Sequence, residues 1–104
     1  MNNPQEKLPP LGMAINYQDL LAHLSEITGL DTNQIDQKLS KVVPPNPFAS
    51  FSFSKSYGNE FILRENEERW GEIRSYIFIF SEDGSTTIFN EEDGIEFGVS
   101  IKSA

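Results

Sequence analysis

The chain is 104 residues long, carries a formal net charge of -8 and contains no cysteine. Its length corresponds to one domain able to bury roughly 60 to 70% of the surface that its unfolded form exposes. The missing cysteine excludes disulfides, thiolate metal sites and thiol nucleophiles, and the charge sets the protein against phosphate backbones, which are bound through lysine and arginine.

Residues 1–12 hold Pro4, Pro9 and Pro10. They read as a flexible, proline-containing tail, because proline fixes φ and restricts the residue before it. The absence of cysteine fits a reducing compartment, and no basic segment followed by an apolar run of secretory length is visible in residues 1–12, so the expected compartment is the cytoplasm. The longest nearly unbroken apolar run, Tyr76 to Phe80, is far short of the roughly 20 residues of a membrane helix, and no membrane role is expected.

From residue 16 to 28, Tyr17, Leu20, Leu21, Leu24 and Ile27 recur at spacings of three and four, the mark of a one-faced helix. Asn16 is placed to cap it and Gly29 to end it. Asp31 offers a second cap for a helix over 32–42, with Ile35, Leu39 and Val42 on one stripe and Pro44-Pro45 preventing continuation.

After this elbow the apolar period drops to two. Phe51 and Phe53 alternate with serines, and Phe61 and Leu63 with Glu60, Ile62 and Arg64, predicting strands over 49–56 and 60–65. A third strand over 72–81 carries Ile73, Ile77 and Ile79 on one face and Tyr76, Phe78 and Phe80 on the other, as a central strand does. Asp83-Gly84 and Asp93-Gly94 introduce strands over 85–90 and 95–102, the latter from the alternation of Ile95, Phe97, Val99 and Ile101. The expected fold is α+β: an N-terminal helical hairpin packed on a five-stranded antiparallel meander, forming a single domain over 13–104.

Catalytic and cofactor motifs are missing. His23 is the one histidine, at the border of the first helix's stripe, and no neighbour in sequence orients it as a base. Ser50, Ser52, Ser54 and Ser56 have the spacing of a strand's polar face, without a nucleophile elbow. The glycines form no phosphate-cradling loop, and neither Glu82-Asp83-Gly84 nor Glu91-Glu92-Asp93-Gly94 has the spacing of a calcium loop. The expectation is a non-enzyme with no cofactor and no metal.

Acid, however, is unevenly spread: residues 58–104 hold 11 Asp and Glu against 4 Arg and Lys. Successive turns of a meander alternate between the ends of the sheet, which assigns the turns near 64–70 and 90–94 to one end, about 10 Å apart. That end would gather Glu65, Glu67, Glu68, Glu91, Glu92 and Asp93, with Trp70 at its rim, as a partner-binding patch for a basic protein surface. No known family matches at the level of a motif; the chain is similar only in general character to acidic immunity proteins of toxin systems and phage inhibitors of nucleases. Because blocking a nuclease needs a negative surface and no chemistry, an inhibitor or immunity-type antagonist is the expected form of such a binder. The rivals are an assembly subunit that forms a homodimer through a strand edge or helical face, and a small-ligand protein or enzyme with an unrecognised site.

Overall fold

The computed structural model describes residues 10–104, so most of the expected tail, residues 1–9, lies outside it. The first helix, α1 (Tyr17–Thr28), opens on a capping box in which the Asn16 side chain accepts from the Asp19 amide and Asp19 accepts from the Asn16 amide. It ends where Gly29 takes up a left-handed φ of 79°, which lets the chain reverse into α2 (Thr32–Leu39). A second capping box joins Asp31 and Gln34.

The second helix stops one turn earlier than the apolar stripe suggested. Val42 and Val43 donate to the Leu39 carbonyl in a tightening turn, and Val43 is fully buried. Proline at 44 disfavours the helical conformation for the residue before it, and its ring clashes with a carbonyl four residues back.

Strands β1 (Ala49–Tyr57), β2 (Glu60–Glu67), β3 (Gly71–Phe80), β4 (Thr86–Asn90) and β5 (Val99–Ile101) follow. They form one sheet in sequential order, with every neighbouring pair antiparallel. The chain is thus an α+β protein with an N-terminal helical hairpin and a five-stranded meander. The helices and one sheet face share a core of Leu20, Leu24, Ile35, Leu39, Phe51, Phe53, Leu63, Phe78 and Ile88, among others, each almost wholly removed from water. Phe53 and Phe78 meet edge-to-face at 5.0 Å between ring centroids, and Phe61 and Phe80 do so at 5.3 Å. Among the described residues no helix is long and apolar enough to cross a membrane.

Residues 95–97 correct the reading of a strand over 95–102. Ile95–Phe97 form a short 3-10 helix, and Ile95 and Phe97 are exposed. The Phe97 and Gly98 amides donate back to Gly94 and Ile95, so two amides that a ladder would use are turned into the segment's own 3-10 turn. The chain returns to the sheet at Gly98, where a Cβ would lie 2.5 Å from the Ile88 carbonyl oxygen and 2.8 Å from the Phe89 Cβ. Gly98→Ala is therefore expected to destabilise the protein by about 1 to 3 kcal/mol through overpacking. Urea unfolding reads this directly, and an unchanged midpoint would mean that the backbone at Gly98 shifts freely.

Two tethers complete the frame. Gly12 donates to the Phe53 carbonyl at 2.8 Å, and Ile15 and Phe51 exchange amide bonds of 2.8 and 2.7 Å, so the Leu11–Ile15 segment runs beside the outer edge of β1. At the other terminus the Ala104 amide donates to the Thr28 carbonyl at 2.8 Å.

Candidate functional site

The β2–β3 turn and the β4–β5 connection leave the sheet at the same end, as the meander requires. They are not side by side. Glu67 pairs with Gly71, whereas the last residue of β4, Asn90, pairs with Tyr76, so the β2–β3 hairpin runs five residues past the end of β4. At about 3.4 Å per residue that is an overhang of about 17 Å, and the single patch expected from the turns is split into two steps.

The outer step is the hairpin tip. Glu68 and Trp70 are exposed there, Trp70 at 66%, and the Arg69 guanidinium lies 5.0 Å from the centre of the indole ring. Phe48, 81% exposed, precedes Ala49, the residue paired with Glu67, and so belongs to this end as well. The inner step carries Glu91, Glu92, Asp93 and Glu96, all exposed, beside the exposed Ile95 and Phe97. Between the steps is a notch of about 180 Å³ lined by Glu72, Ile73, Arg74, Ser75, Asn90, Glu91 and Glu92.

Glu65 is not part of this surface, which corrects its assignment to the partner-binding patch. It is fully buried, on the core face in phase with Phe61 and Leu63. Its carboxylate accepts from the Tyr76 hydroxyl at 2.8 Å and from Asn46 Nδ2 at 2.9 Å, with Arg74 Nε 3.6 Å away. Glu67, on the same face, is half-buried and accepts from the same Asn46 Nδ2 at 2.7 Å, while Asn46 Oδ1 receives the Phe48 amide. These two acids clamp the proline elbow to the end of β2; the exposed acids do the facing outward.

The clamp raises the Tyr76 hydroxyl above its ordinary pKa of 10.0, because burial opposes the phenolate and the bond to Glu65 holds the proton. Tyr17 is raised from the same value by burial and by donating to Asp36 at 2.7 Å.

Cations at this end are already engaged. Arg64 pairs with Glu72 at 3.1 Å and donates to Ser54, Arg74 stands by Glu65, and Arg69 lies over Trp70. Among the described residues Glu68, Glu91, Glu92, Asp93 and Glu96 have no salt-bridge partner. Phe48, Ile95 and Phe97 escaped sequence reasoning: Phe48 falls between the elbow and a strand, and the other two imitate a strand's alternation. Asn46 carried no signal either, since an asparagine between two prolines reads only as a bend. No protein-family model, curated protein or solved structure matches this chain.

Proposed function

We propose that the protein is a non-catalytic binding module whose acidic, aromatic-edged sheet end covers a basic surface of another protein, as an inhibitor or antagonist does. The observation that carries this reading is the coincidence, at one end of the sheet, of unpaired carboxylates with exposed Phe48, Trp70, Ile95 and Phe97. Exposed aromatic side chains supply apolar contact area, while the carboxylates steer an oppositely charged partner and reject nucleic acid. The cytoplasm remains the proposed compartment.

The test is capture from host extract with the wild-type chain and with Glu68→Lys, Glu91→Lys, Glu92→Lys and Asp93→Lys combined. A partner retained by the wild type, lost by the variant and associating about tenfold or more slowly as salt rises supports the reading, since steering between charges is screened over about 8 Å at physiological ionic strength. Capture indifferent to both salt and charge reversal overturns it.

One observation favours a second reading, an assembly subunit. Ile62, Ile77, Ile79 and Phe89 alternate with the core residues and lie outside the core cluster, with Ile62, Ile77 and Phe89 in one cross-strand row in which Ile62 and Phe89 are half-buried and Ile77 is buried between them. A dimer that persists at high salt in light scattering supports it, and a monomer at every accessible concentration removes it.

A further inference from the structure

Sheet edges invite pairing with another chain, and two of those in this fold are blunted. Alongside β1 the Leu11–Ile15 segment is bonded to Phe51 and Phe53, and β5 is only three residues long. A further edge lies inside the sheet. Where β4 ends, β3 turns from a central strand into an edge. The Glu91 amide gives a last bond of 3.1 Å to the Ser75 carbonyl, and beyond it Gly71–Arg74 pair only with β2 among the described residues.

This open edge is the floor of the notch, with Glu72, Glu91 and Glu92 around it, Arg74 at its inner end beside the buried Glu65, and Trp70 at its outer end. Its charge decides what fits. A second copy of the chain would bring the same excess, three carboxylates against one Arg74, to this edge, and like charges across a strand pair oppose each other. A segment carrying lysine or arginine meets the opposite sign.

We propose that the free edge of β3, residues Gly71–Arg74, is a docking strip for a short extended basic segment of a partner protein, which continues the line of β4 by backbone pairing. The inference rests on the acidic-end reading above and gives it a binding mode. Main-chain bonds supply affinity, and alternate side chains of the segment supply selectivity. The strip is about 14 Å long, and Ile73 forms a bulge opposite Glu65 and Asn66, so the docked stretch is about four residues.

Three synthetic peptides test this by titration into the isotopically labelled full chain, followed through backbone amide signals. The first alternates lysine and valine, the second is the same peptide N-methylated at alternate backbone nitrogens, and the third has glutamate in place of lysine. The first is expected to shift the amides of Gly71–Ser75, Glu91 and Glu92. N-methylation is expected to weaken its affinity about tenfold or more, the equivalent of losing one or two hydrogen bonds. The glutamate peptide is expected not to bind, and Glu91→Lys with Glu92→Lys, which replaces two exposed side chains, is expected to abolish binding of the first. Equal affinity for the first two peptides overturns strand pairing while leaving the acidic-end reading standing. Signals that move along β5 or at Tyr57 instead overturn the location. If neither lysine peptide binds at low salt, the docking strip falls, while the acidic-end reading stands or falls with the capture test.

Discussion

Glu65→Ala is expected to lower the unfolding free energy by about 2 to 5 kcal/mol, a large share of the roughly 5 to 15 kcal/mol that holds a domain together. The loss arises from the groups left behind. Tyr76 is fully buried and its hydroxyl would lose its acceptor, while Asn46 Nδ2 would keep only its bond to Glu67. A cavity in the core face adds to the cost. Arg74, whose side chain is 44% exposed, finds water in place of the carboxylate and contributes little. Glu65→Gln is expected to fall between wild type and alanine, because it keeps an oxygen for Tyr76 but turns an amide donor towards Asn46. Urea midpoints of the three proteins give the ranking, and an alanine variant within about 1 kcal/mol of wild type would show that the clamp holds nothing.

Alkali is expected to unfold the protein through its two buried phenols. Tyr17 and Tyr76 are held protonated above their ordinary value of 10.0 by burial and by bonds to Asp36 and Glu65. Because the folded pKa is raised, this stabilisation is fully present below pH 10 and is lost as the pH rises towards the folded values. In that window each phenol contributes a fall of about 1.4 kcal/mol per pH unit, about 2.7 for the pair. The measurement is unfolding free energy against pH, with phenolate absorbance followed in parallel. The two buried rings should ionise together with loss of the sheet's circular dichroism. Tyr17→Phe should reduce the alkaline slope by about half. Phenolate signals from both rings in a protein that remains folded would contradict this account.

The order of elements was legible because the apolar period changes once, from a helical spacing ending near Val42 to an alternation beginning at Phe51. The same alternation misled at Ile95 and Phe97, where a segment that bonds to itself imitates a strand. Glu65 shows a signal that was present and passed over. It stands two residues beyond Leu63 and four beyond Phe61, in phase with the core face, but a charged residue near a turn is expected outside. What admits it to the core is Asn46, nineteen residues earlier in the chain, and Tyr76, eleven later; local pattern cannot report such partners. The stagger between the two acidic steps was equally hidden, since it depends on how far β3 outlasts β4, ten residues against five. Meander order put both acidic turns at one end of the sheet, and strand length divided them.

The tether of Ala104 to Thr28 has a practical side for anyone immobilising this protein. β5 runs from Val99, opposite Ile88, to Ile101, opposite Thr86, carrying the chain away from the acidic steps towards the far end of the sheet. A sensor surface, bead or dye attached at residue 104 therefore stands at the far end of the sheet and leaves the acidic steps facing solution, whereas chemistry on surface carboxylates would consume Glu68, Glu91, Glu92 and Asp93, the groups whose contribution it was meant to measure.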